Sequence, residues 1–208
     1  MKKIIMLLLA LGVVCSVVAK TNYQTKILES KNTLEHSKTD SIMSLNFFTI
    51  MTDSVFPSWM GTKWDYNGIS NIPGKGMIAC GYFVTTTLKH VGFNLNRYKL
   101  AQQAASTVIQ VLCDSSRLYS YSVDAAIKKL KGLGNNKLYV VGLDYHVGFI
   151  AVKNNEVFFI HSDYFKGEVL KEKAQNSKAF KNTTAYVFGE ITNNKELFNK
   201  WKNGIKIY

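Results

Sequence analysis

The hydrophobic pattern changes period once along this chain. Up to about residue 132 the apolar positions recur at helical spacing, and beyond it they crowd into short β-branched and aromatic runs. Residues 38–56 read as a helix whose apolar face is Ile42, Leu45, Ile50 and Val55. Residues 80–89 read as a second helix, because Val84, Leu88 and Val91 recur near helical spacing and Gly92 supplies a stop. A third helix over 96–112 would carry Leu100, Ala104, Val108 and Val111 on one face, and a fourth over 122–131 has Ser122 as N-cap and Gly132 as stop. After Asn135-Asn136 the runs 138–143, 146–152, 156–161 and 184–191 read as strands, with Lys153-Asn154-Asn155 as a hairpin turn. Short helices over 171–180 and 195–201 complete the chain. Helices first and antiparallel strands second predict an α+β fold in a single domain.

The first 19 residues change the picture of where this domain resides. Met1-Lys2-Lys3, the apolar run 4–18 and Ala19 have the three parts of a secretory signal peptide, with cleavage expected after Ala19. Fifteen apolar residues fall short of the roughly 20 that span a bilayer. Acylation at Cys15 is disfavoured because Val14 stands where a small residue is needed. The expectation is a secreted or periplasmic domain, 20–208, without a transmembrane segment after cleavage, in which 20–60 form a helical extension or lid. Formal net charge is +12 and becomes +10 once Lys2 and Lys3 leave, so anionic surfaces such as cell-wall polymers would attract it. The lysines are dispersed from Lys26 to Lys206 without a tight run, which favours a merely solvated basic surface over a dedicated anion-binding one, and with no aromatic-basic motif or recognition helix a nucleic-acid partner is not expected.

Cys80 and Cys113 survive processing. In an oxidising compartment they could form a bridge; alternatively both are free, since Cys80 begins one helix, Cys113 ends another and no dense cysteine framework surrounds them. A free Cys80 in the first helical turn would have its thiolate favoured by unpaired N–H groups and the helix dipole. A cysteine nucleophile also needs an imidazole, and the imidazole needs a third group to orient it. The tetrapeptide His-Val-Gly-Phe occurs at 90–93 and again at 146–149. His90 falls at the far end of the nucleophile's own helix, about 15 Å away at 1.5 Å per residue, where the helix dipole accounts for it. His146 opens an apolar strand, and across a hairpin turning at Asn154-Asn155 it falls near His161. Asp144 and Asp163 are alternative orienting groups.

The segments Ala79-Cys80-Gly81-Tyr82-Phe83-Val84, His146-Val147-Gly148-Phe149-Ile150 and Ile160-His161-Ser162 resemble the nucleophile, base and orienting motifs of the NlpC-type papain-like cell-wall cysteine peptidases. Trp64-Asp65-Tyr66-Asn67-Gly68 resembles that family's Y-x-W-G-G segment, so the resemblance spans roughly 64–162. It implies a papain-like fold, a peptidoglycan stem-peptide substrate, catalysis by Cys80, His146 and His161, and Trp64 or Tyr66 as substrate or oxyanion contacts, beside the safer donor, the Cys80 backbone N–H. The chain departs from the family in Ala79 and Gly81 flanking the thiol, in Trp64 replacing a tyrosine, and in a spacing from Gly68 to Cys80 about four residues longer, which implies a remodelled substrate cleft. Other thiol chemistry, such as acyl transfer, and a catalytically inactive wall-binding module are the competing readings. With no H-E-x-x-H, paired C-x-x-C, calcium loop or dinucleotide fingerprint, neither metal nor cofactor is expected.

Overall fold

The computed structural model describes residues 22–113 and 117–208, so the expected signal peptide and Cys15 lie outside the described residues. Among the described residues no helix is long and apolar enough to cross a membrane. Helix α1 (22–35) precedes α2 (Asp40–Ile50), whose N-cap Thr39 accepts a hydrogen bond from the Ile42 N–H. α2 continues through a π-helical turn, Met51–Val55, into α3 (Phe56–Trp59). The buried face of α2 differs from the expected one. Ile42 and Leu45 are exposed, and Met43, Phe47 and Phe48 turn inward instead. The larger aromatic surface decides the rotation, since Phe47 packs edge-on against Phe93 and Phe198.

α4 (Cys80–His90) starts and stops where the sequence implied, and residues 81–88 are buried almost all round. The central threonines are tolerated there because Thr85 and Thr87 donate back to the Gly81 and Phe83 carbonyls. The single helix expected over 96–112 is broken into α5 (Arg97–Ala101) and α6 (Ala105–Leu112). Asn96 caps α5, the intervening residues 102–104 are exposed, and Leu100, Val108, Ile109 and Leu112 carry the burial rather than Ala104 and Val111.

The sheet is antiparallel in the order β1-β6-β2-β3-β4-β5. Its strands are β1 (Arg117–Ser120), β2 (Lys137–Gly142), β3 (Val147–Lys153), β4 (Glu156–Asp163), β5 (Glu168–Lys173) and β6 (Tyr186–Glu190). The β3–β4 turn has Asn154 and Asn155 at φ 54° and 58°, the double left-handed conformation of a type I′ hairpin. β5 replaces the first part of the helix expected over 171–180, leaving a 3₁₀ turn (Ala174–Asn176) and α8 (Lys178–Lys181). Glu-Val-Leu-Lys-Glu-Lys is locally ambiguous, and hairpin pairing with β4 makes it a strand. α7 (Val123–Gly132) is capped by Ser122 and α9 (Lys195–Lys202) by Asn194.

Strand alternation divides the core into two layers. Leu138, Val140, Phe149, Ala151 and Ile160 pack with α2, α3, α4, α6 and α9. Tyr139, Val141, Ile150, Val152 and Phe159 pack on the opposite face with α7 and α8. The N-terminus of α4 therefore arrives at one face of the sheet, beside the start of β3.

Candidate active site

The chain reaches Cys80 through a segment, 61–79, stitched onto the edge strand β5. Gly61 N–H donates to the Val169 carbonyl and Trp64 N–H to the Gly167 carbonyl, at 2.9 and 2.8 Å. Ile78 and Ala79 donate to Lys63 and Gly68, and the buried Ser162 hydroxyl donates to the Ile78 carbonyl at 2.7 Å. At Gly68 a Cβ would lie 2.5 Å from the Ile78 nitrogen, so only glycine permits this approach. At Gly81 a Cβ would collide with the Ala101 carbonyl oxygen, so glycine beside the thiol lets α4 seat against the end of α5.

Cys80 is thus the first residue of α4, and the N–H groups of Val147, Gly81 and Cys80 are directed at its thiol. Burial pushes the thiol pKa up, against the opposing pull of these three donors. The helix start was expected to favour the thiolate; desolvation outweighs it, and the resting group is the neutral thiol. Cys113 is also a free thiol, buried at 1 % exposure, donating to the Glu190 carbonyl, with its pKa pushed by burial to about 12. No Cys80–Cys113 bridge exists.

His146 sits in the tight connection from β2 to β3, where its carbonyl accepts from the Leu143 N–H. Its Nε2 lies 2.9 Å from Nδ1 of His161, in a buried, edge-on ring pair. His161 stacks on Phe159 at 3.9 Å, and the absence of a side chain at Gly148 leaves room for both rings. Nε2 of His161 lies 3.3 Å from Glu172 Oε1, and Lys166 flanks the same carboxylate at 3.5 Å. Glu172 is held at about 2, chiefly by the hydrogen bond from His161, with smaller help from Ser177, the His161 charge and Lys166. Burial, and secondarily the charge of His161, drives the His146 pKa well below the ordinary value.

This connectivity orders the protons. An ionised Glu172 only accepts, so His161 Nε2 carries a hydrogen; whenever His161 holds that single proton, its Nδ1 accepts from His146 Nε2–H. His146 is left with Nδ1 as a proton acceptor. Glu172 was not among the sequence candidates, because the segment around it read as helix. Reading 168–173 as a strand pairing with 158–163 would have placed Glu172 opposite Phe159 and diagonal to His161.

Cys80 and His146 line one cavity of about 200 Å³, together with Gly81, Gln103, Asp144, Tyr145 and Val147. They make no direct hydrogen bond. The imidazole pair follows the side-chain parity of Phe159, on the face away from α4, whereas Ser162 faces the segment entering α4. His146 reaches the cavity because it precedes β3 at the end of the sheet.

The remaining candidates occupy other roles. Asp144 accepts from the Thr184 N–H and hydroxyl, which lower its pKa, and so pins the loop before His146 without touching the ring. Asp163 is buried and accepts the Phe165 and Lys166 N–H groups at the β4–β5 turn. Trp64 packs 6.3 Å from Tyr164, whose ring is 5.4 Å from that of His146, and Tyr66 is 80 % exposed; neither lines the Cys80 cavity. The longer loop before Cys80 does not line it either. Ligand atoms of His161, Asp163 and Glu172 lie within 4.8 Å of one another, the spacing of a possible cation site. Backbone amides, His146 and the Lys166 ammonium already engage these groups.

No family model matches the chain, and no curated protein or solved structure matches it either.

Proposed function

We propose that the protein is an exported, cofactor-free cysteine hydrolase on a papain-like α+β fold of NlpC type, cleaving an amide bond in peptidoglycan stem peptides. The observation that carries this reading is the shared cavity: a thiol at a helix N-terminus beside a histidine whose tautomer is set by the His161–Glu172 relay. Cys80 Sγ would attack the amide carbonyl and form the S–C bond as its proton passes to His146 Nδ1. His146 would then protonate the departing amine as the C–N bond breaks, leaving a thioester. Water would then lose a proton to His146 and form the C–O bond as the C–S bond breaks, and His146 would return that proton to Cys80 Sγ, releasing the carboxylic acid and restoring the thiol. In this reading the Cys80 N–H, at the start of α4, would turn from the thiol to donate to the tetrahedral oxygen. Because both groups rest neutral, proton transfer accompanies attack rather than preceding it. The mature net charge of +10 supports an anionic wall as the partner.

A second reading, an inactive wall-binding module, is favoured by the raised thiol pKa and the missing Cys80–His146 hydrogen bond. Two measurements separate them. Iodoacetamide at pH 7 should label Cys80 at least tenfold faster than in His146→Ala, and purified peptidoglycan should yield new fragments by mass spectrometry with wild type and none with Cys80→Ala. Slow labelling unaffected by His146→Ala, with peptidoglycan bound but uncut, would establish the binding module.

A further inference from the structure

The duplicated motif at His90 has a role apart from Cys80. At the far end of α4, α1 and the loop 71–75 enclose a groove of about 950 Å³, near the upper end of the roughly 300–1,000 Å³ usual for small-molecule sites. The floor is polar and fully committed. Trp59 Nε1–H donates to the Tyr23 hydroxyl at 3.1 Å, Tyr23 lies 2.9 Å from His90 Nδ1, and His90 Nε2 lies 3.1 Å from Asn71 Oδ1. Burial, then the charges of Arg97, Lys31 and Lys89, lower the His90 pKa to about 4, so the ring is neutral and not the cation that a helix C-terminus was expected to hold.

Lys26, Lys31, Lys75 and Lys89 rim the groove, form no ion pair among the described residues, and face no acidic side chain in its lining. Other surface lysines, such as Lys99, Lys128 and Lys178, are also without an ion pair among the described residues; what marks the groove is that four such side chains line one concave surface with no acidic residue among its lining. Apolar walls come from two sides, Ile27 and Leu28 on α1 and Ile72 and Pro73 on the loop. Leu28 and Ile72 are 67 % and 39 % exposed, a cost in solvated apolar surface that an occupant would relieve.

We propose that this groove is a second binding site, separate from Cys80, for a monomeric amphiphilic anion: a hydrocarbon chain ending in a phosphate. Four unpaired ammonium groups suit a dianionic head better than a single carboxylate, and lysine meets phosphate as a point charge. A chain lying between α1 and the loop is covered from both sides, whereas a flat bilayer would meet the rim alone. The site makes no use of the chemistry at Cys80 and stands whether or not the protein is a hydrolase.

The test titrates the protein with dodecyl phosphate below its micelle concentration, against dodecyl maltoside and inorganic phosphate, and in the Lys31→Gln/Lys89→Gln and Leu28→Asp variants. Dodecyl phosphate should bind at least tenfold more tightly than either control and at least tenfold more weakly to each variant. NMR should show the His90 imidazole resonances shifting while those of His146 stay in place. Equal affinity for dodecyl maltoside or for inorganic phosphate, unchanged affinity in the lysine variant, or a shift at His146 alone would overturn the assignment. Binding to phosphatidylglycerol vesicles without binding of the monomer would also overturn it, and would make the groove a membrane-docking surface.

Discussion

Replacing Glu172 by glutamine keeps the shape of the side chain and removes the charge that orders the imidazole relay. The carboxyl is held at about 2 against an ordinary 4.5, a difference of roughly 3 kcal/mol at about 1.36 kcal/mol per unit. Its side chain is 16 % exposed and the flanking Lys166 is 62 % exposed, so solvent screening reduces the figure to about 2 kcal/mol, within the range for a hydrogen bond to an ionised group. The sign follows from the depressed pKa: the stabilisation is fully present above about pH 4.5 and is lost as pH falls towards 2. Glu172→Gln should therefore unfold in urea about 2 kcal/mol more easily than wild type at pH 7, with the gap closing between pH 4.5 and 2. The amide can also turn its NH₂ towards His161 Nε2, which reverses both tautomers and leaves Nδ1 of His146 protonated. Turnover, or the alkylation rate of Cys80, should then fall ~10–100-fold, the usual effect of removing a group that orients a functional histidine. A stability gap that is constant from pH 2 to 7, or alkylation equal to wild type, would refute the relay.

Four further outcomes are expected. His146→Ala should abolish turnover while His90→Ala leaves it within about twofold, and an active His146 variant beside a dead His90 variant would reverse the assignment of the duplicated motif. His161→Asn should retain partial turnover and His161→Ala should lose substantially more, since an amide can still accept from His146 Nε2–H; equal activity of His161→Ala and wild type would exclude its orienting role. Because His90 titrates near 4 when folded and near 6.5 when exposed, it contributes a loss of stability as pH falls from 6.5 to 4; His90→Gln should take up about one proton fewer on unfolding across that window, read from the pH dependence of urea unfolding. Gly81→Ala should lower stability by about 1–3 kcal/mol, as overpacking does, because the added methyl meets the Ala101 backbone carbonyl rather than a yielding side chain; an unchanged urea midpoint would show that α4 and α5 can separate freely.

The residues of this chain determine its local elements wherever the signal is short-range. Ser122 capping α7, Asn154-Asn155 in the I′ turn, and the bounds of α4 follow from backbone preferences that no distant contact alters. The nearness of His146 and His161 was legible for the same reason, since a two-residue turn sets the register of the hairpin. Tertiary structure decided what depends on competition between surfaces. Phe47 and Phe48 displaced Ile42 and Leu45 from the buried face of α2 because their larger apolar surface, with Phe93 and Phe198 packed against Phe47, outweighs spacing alone. Residues 168–173 became a strand because β4 offered them a ladder, and only then did Glu172 come within reach of His161. The protonation states belong to the same class. The sequence placed Cys80 at a helix start and His90 at a helix end, where dipoles favour thiolate and imidazolium, but burial of both reverses the two preferences, and burial is a property of the assembled core.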